Sequence, residues 1–146
     1  MADALRFCTF YVDGLLFGVE IEKVQEVIRY QKLTGVPLAP RTIAGLMNLR
    51  GEIVTAIGLR RRLGLGEPPA DQLPMNVVLK ISSGIVSLLV DEIDEIIDVE
   101  NDAFESPPDT LKGISRELIR GVYKLEERLL LVLDAEATSR VQSERV

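Results

Sequence analysis

Two stretches of the chain carry the same order of apolar and polar positions. "FCTFYVDGLLFGVEIEKVQEVI" (7–28) and "VVLKISSGIVSLLVDEIDEII" (77–97) each hold an apolar strand, a short turn closing on Gly14 or Gly84, and a second apolar strand. Each then passes into positions with helical spacing. These are Ile21, Val24, Val27 and Ile28 in the first stretch, and Val90, Ile93, Ile96 and Ile97 in the second. At an offset of 69 the four positions match one for one. Intervals of three, three and one predict a short amphipathic helix in each stretch.

The pattern continues in parallel. Prolines follow in both stretches, Pro37 and Pro40 and then Pro107 and Pro108, and predict extended connections. "IAGLMNLRGEIVTAIGL" (43–59) then aligns with "IRGVYKLEERLLLVLDA" (119–135) at an offset of 76. Ile43 falls on Ile119, Gly45 on Gly121 and Leu49 on Leu125. Both read as strand, turn, strand, with "RGE" and "EER" as turns and Gly51 able to supply a positive φ. The change of offset implies about seven extra residues in the second copy, within "DTLKGISRE" (109–117). The chain is therefore two similar units of about 60 residues joined by the Gly- and Pro-rich "GLGEPPADQLP" (64–74). Four or five short strands and one short helix per unit suit a small curled antiparallel barrel, where closure removes exposed edges. Units of that size are marginal alone, so the two are expected to share a buried interface.

Composition narrows the chemistry. Apolar residues make up 47% of the 146, enough for a packed interior. The net charge of −6 opposes binding to nucleic acid or an anionic lipid surface. There is no His and only one Cys, so His-based triads and thiolate metal sites have no ligands to draw on. Cys8 reads as a small strand residue, and a single cysteine suits a reducing compartment. No run approaches the roughly 18 apolar residues of a membrane span. The start "MADALRFCTF" lacks the apolar core of a signal peptide.

Several groups remain as candidates. "KVQEVI" (23–28) is either a core face or an exposed partner groove. Asn48 and Arg50 are either turn chemistry or a docking fork for carboxylates and carbonyls. Arg60, Arg61 and Arg62 read as a solvated strand end or a contact patch, and "DEIDE" (91–95) as a solvated face.

The ordered set "LLFGVEIEKVQEVIR", "VPLAP", "IAGLMNLRGEIV", "LRRRLGL", "VSLLVDEIDEI", "IRGV" and "LLLVLD" resembles the CheW family, the chemotaxis coupling proteins, over about residues 5–138. The resemblance implies a mainly β fold of two intertwined SH3-like five-stranded barrels with short helices. It implies one domain over 1–138, with a first subdomain of about 14–74, a second of 1–13 plus 75–138, and a flexible tail at 139–146. It implies a cytoplasmic adaptor without catalysis, cofactor or metal. Such a protein links the cytoplasmic tip of a chemoreceptor to the regulatory domain of a CheA-type histidine kinase and is recruited to receptor arrays, with no nucleic acid and no membrane insertion. Carried onto this chain, the receptor groove would use Val24, Glu26, Val27, Gly45, Asn48, Arg50, Ile93 and Ile96. Kinase contacts would fall at Arg62 and Leu63. The chain departs from the family at Thr55 and Gly58, which stand where the family usually has Pro and Asp; Asp134 keeps the acid in the second copy. That departure points toward a specialised chemosensory pathway. Two other readings stay open. One is a regulatory CheW-like domain of a larger kinase, against which the start at Met1 and the short tail "SRVQSERV" weigh. The other is a carboxylate enzyme using Asp91 and Asp134.

Overall fold

In the computed structural model, residues 4–100, 104–106 and 116–140 are described. The first copy supplies β1 (Ala4–Val12), β2 (Leu15–Glu20), β3 (Val24–Ile28), β4 (Ile43–Leu49), β5 (Glu52–Gly58) and α1 (Leu59–Leu63). The second supplies β6 (Met75–Ile81), β7 (Gly84–Val90), β8 (Glu92–Glu100), β9 (Phe104–Glu105), β10 (Ile119–Lys124), β11 (Leu129–Leu133) and α2 (Ala135–Ser139). The repeat is thus real, and the fold is mainly β with few short helices. Pro107, Pro108 and 109–115 lie outside the described residues.

Two sheets form, six-stranded in the order β8-β1-β2-β11-β10-β9 and five-stranded in the order β3-β6-β7-β5-β4. The first hairpin of each copy joins the later strands of the other. β1 pairs antiparallel with β8, and β2 runs parallel to β11. β6 pairs antiparallel with β3, and β7 runs parallel to β5. The split therefore falls elsewhere than the expected 14–74 against 1–13 plus 75–138. β2 lies in the sheet of β1, and β6 and β7 lie in the sheet of β3.

A central cluster fills the space between the sheets, drawing Phe10, Phe17, Val77, Leu79, Ile57 and Leu131 from both. Smaller clusters sit within each sheet's own curl, around Phe7 and Tyr123 in one and Met47 and Val78 in the other. Gly45 and Gly121 match between copies for a steric reason. A Cβ on Gly45 would lie 2.8 Å from Thr34 O, and one on Gly121 2.6 Å from Glu105 O. Each glycine admits the close pass of an edge segment, Thr34 bridging Leu46 in one sheet and Glu105 opposite Val122 in the other.

The helices expected at 21–28 and 90–97 are not formed. Ile21–Lys23 is a single 3₁₀ turn, and β3 and β8 follow in extended form. The three-residue apolar interval comes instead from β-bulges. Register shifts between Val24 and Glu26 in β3, and opposite Cys8 and Phe10 in β8, each insert one extra residue. The residues concerned are largely β-branched and gain ladder bonds in a sheet. The helix of each copy lies after the second hairpin. The arginine triplet sits in α1, not at a strand end; α1 is stopped by Gly64 at φ 82.

Candidate functional site

Cross-strand partners share a face of the sheet. Val24 and Val27 on β3 pair with Leu79 and Val77, both members of the central cluster. Ile93 on β8 pairs with Phe10 of that cluster, and Ile96 pairs with Cys8, which lies on the same face of β1. All four candidate residues therefore turn toward the space between the sheets. Val24 and Ile93 are half-buried against the central cluster. Val27 and Ile96 remain 37% and 57% exposed. β3 and β8 are both edge strands, so these two side chains lie at the margin of the inter-sheet core.

The β4–β5 turn supplies the polar part. Arg50 at φ 53 and Gly51 at φ 88 make a tight two-residue turn, and Asn48 Oδ1 accepts from Gly51 N at 2.8 Å. Asn48 is thus both exposed and a turn constraint. Arg50 reaches across to donate to Glu26 on β3. The pair joins the two edges of the five-stranded sheet, and the Arg50 side chain stays two-thirds exposed. Gly45 is buried beneath Thr34, whose backbone it lets pass against β4. Arg50 meets Glu26 at the β4–β5 turn, Glu26 sharing a face with Val78 and Val27 the opposite face with Val77, while Val24 and Ile93 pack on the central cluster.

The kinase-side candidates fare differently. Leu63 has no exposed surface and belongs to the central cluster, because α1 packs its apolar side inward. It is a core residue. Arg62 donates to the carbonyl oxygens of Thr138 at 3.0 Å, Ala137 at 2.9 Å and Arg140 at 3.4 Å. It ties α1 of the first copy to the end of α2 of the second. Arg60 takes Asp91 in a fork, at 3.0 and 2.6 Å, and Gly66 O at 2.9 Å. Arg61 takes Glu67 and Arg41 O, both at 3.0 Å. All three arginines brace structure. The acidic candidates are engaged too. Asp91 holds Arg60 and accepts from Asp13 N at 2.7 Å, while Asp134 caps α2 by accepting from Ala137 N at 3.0 Å.

Sequence reading missed one feature of the second copy. Arg128, from the β10–β11 turn, donates to the Tyr11 hydroxyl and lies near Asp94 at 3.1 Å and Glu95 at 3.5 Å. The offset of 69 that matched Val27 to Ile96 also matches Glu26 to Glu95, and would have pointed to this pair.

Comparison with known proteins places this arrangement. The sequence model of the CheW-like domain matches residues 6–142. The chain is 31% identical over 136 residues to the chemotaxis protein CheW of Treponema pallidum, covering 90% of this chain and 80% of that one. It is 30% identical over 132 residues to the CheW of Bacillus subtilis, covering 90% and 85%. The crystal structure of the scaffolding protein TtCheW from Thermoanaerobacter tengcongensis superposes with a TM-score of 0.81 at 25% identity, covering 92% of this chain and 86% of that one.

Proposed function

Because the chain belongs to the CheW-like domain family and shares the fold of a scaffolding protein, we propose that it is a non-catalytic adaptor coupling a chemoreceptor to a CheA-type histidine kinase. It acts at the cytoplasmic side, recruited to receptor arrays, in chemotaxis or a related chemosensory pathway. The observation that carries this reading is the exposure of Val27 and Ile96 on the edge strands β3 and β8, with the Arg50–Glu26 pair on β3. A receptor's helical tip lays its apolar stripe on Val27 and Ile96, over Val24 and Ile93, and meets the free donors of Arg50 at the rim. Asn48 holds that rim in shape, and Gly45 acts only by seating Thr34 on β4. The kinase regulatory domain takes the α1–α2 end, where Arg62 acts through the carbonyls it holds and Leu63 only supports from the core. Coupling is then a shift of packing between two bound partners.

The test is titration of the receptor tip and the kinase regulatory domain against variants. Val27→Asp weakens receptor binding by about 2 kcal/mol, roughly thirtyfold, with an unchanged melting temperature. Arg50→Ala acts the same way at about 1 kcal/mol. Arg62→Glu weakens the kinase more than the receptor. Val24→Asp lowers stability as well, since Val24 packs on the central cluster. Receptor affinity unaltered in Val27→Asp and Arg50→Ala would remove this face from the reading.

A further inference from the structure

One place where the two copies part company is a concavity. A space of about 230 Å³ opens between α1, the linker at 64–74 and the end of β7. Ala44, Gly58 and Leu59 of the first copy line it, with Leu89 of the second and Pro68 and Pro74 of the linker. Offsets of 76 and 69 put Arg120, Asp134 and Glu20 at the places of Ala44, Gly58 and Leu89. In that second setting Arg120 and Glu20 pair at 3.4 Å and Asp134 caps α2. Only about 60 Å³ remains beside Arg120 and Glu20. The first setting has two apolar side chains in place of the ion pair and a glycine in place of the cap. Its space therefore stays open and largely apolar.

Four charged side chains share the lining, and all are matched within the protein. Arg60 forks onto Asp91 at 3.0 and 2.6 Å, with both side chains nearly buried. Arg61 meets Glu67 at 3.0 and 3.4 Å and Arg41 O at 3.0 Å. Two cations and two anions leave the concavity without net charge. A charged ligand finds no free counter-ion there, and breaking either pair to supply one leaves a charge uncompensated. An uncharged apolar ligand gains from the water it displaces. Size and shape narrow the class. A cavity of about 150 Å³ is enough for benzene, so about 230 Å³ suits one ring or two fused rings. Arg61 is fixed by its partners and still half-exposed, and a planar guanidinium takes the face of an aromatic ring.

We propose that this concavity is a binding site for a small uncharged aromatic molecule, seated on Ala44, Leu59 and Leu89 with a ring face toward Arg61. Because first copy, second copy and linker all contribute to the lining, the ligand joins the three.

Indole is the probe, titrated into the full chain and followed by methyl chemical shifts. The Ala44, Leu59 and Leu89 methyls shift and saturate together at millimolar indole or below, the affinity open to a ligand of about nine heavy atoms. Indole-3-acetamide binds about tenfold more tightly than indole-3-acetate, which has the same size and one charge. Phenol binds several-fold more tightly than cyclohexanol, and Arg61→Ala removes that difference. Two variants close the space by different means. Ala44→Leu fills it, and Ala44→Arg with Leu89→Glu copies the ion pair of the second copy. Each keeps a cooperative melt and loses about tenfold or more in indole affinity. Indole that leaves the three methyls unmoved, that keeps its affinity in both closed variants, or whose charged acid binds as well as the amide overturns the proposal.

Discussion

Gly58 and Asp134 occupy the same place in the two copies and show what one side chain does. Each precedes a five-residue helix, with φ and ψ of −75° and 105° at Gly58 and −82° and 102° at Asp134. Asp134 caps α2 through its carboxylate; α1 has no side-chain cap. A Cβ at Gly58 would lie 3.8 Å from Thr42 O, an ordinary contact. Gly58→Asp is therefore expected to raise stability by about 1 kcal/mol, from the cap and from lower unfolded-state entropy. The melting temperature rises by about 3 °C. Gly58→Ala gains only the entropic part, and a thermal melt of both variants separates the two. Cys8 makes a second point at this scale. It is buried, and desolvation pushes its thiol up from the usual range. The native protein should resist alkylation at neutral pH and react only at the rate of unfolding, which thiol titration with and without urea measures.

The elements are held by side chains that cross between copies. Arg62 supplies the last carbonyls of α2 with donors that the helix itself cannot provide. Arg62→Ala leaves those partly buried oxygens bare and costs about 1–2 kcal/mol by urea denaturation. Arg62→Lys recovers little, since an ammonium cannot fork across them. At the other side of α2, Glu136 accepts from Ser82 N at 2.9 Å and Ser82 Oγ at 2.7 Å, fixing the β6–β7 turn. Those bonds, the hydroxyl's first, with Lys23 adding attraction, hold its carboxyl below the usual carboxylate range of 4.5. A carboxyl depressed in the folded state stabilises above the unfolded value and loses that stabilisation as pH falls through its folded value. The wild type should thus lose stability below about pH 4.5 more steeply than Glu136→Gln. Parallel slopes in acid melts would show that this carboxylate does not contribute.

At the scale of the whole molecule, neither half of the chain owns its sheet. β1 and β2 find their other neighbours, β8 and β11, only in the second copy, and β6 and β7 find β3 and β5 only in the first. A fragment ending at Pro74 leaves both sides of the β1–β2 hairpin unpaired and strips half of the central cluster. Residues 1–74 alone are expected to show no cooperative melt, and mixing them with 75–146 to restore the circular dichroism of the full chain. A fragment that melts cooperatively by itself would contradict that exchange of hairpins. The interlock also bears on the proposed docking face. Val24 and Ile93, one from each copy, rest on one shared core.

The sequence by itself determined the repeat, the hairpins, the apolar faces and the lack of any His or second Cys, because side-chain period and residue type are local properties. It also singled out Val27, Ile96 and Arg50, which the structure leaves at the surface. It misread 21–28 and 90–97 as helix, because a bulged strand and a helix share a three-residue interval. It could not tell Leu63 from a surface contact, nor see that Arg60, Arg61 and Arg62 face carbonyls and carboxylates distant in the chain. Ser139, expected in a free tail, is buried and donates to Ala135 O at 2.8 Å; residues 141–146 lie outside those described. Which hairpin joins which sheet was decided only in three dimensions. Two copies of one apolar pattern offer similar edges to either hairpin, and the choice is made by the core that forms when the copies exchange them.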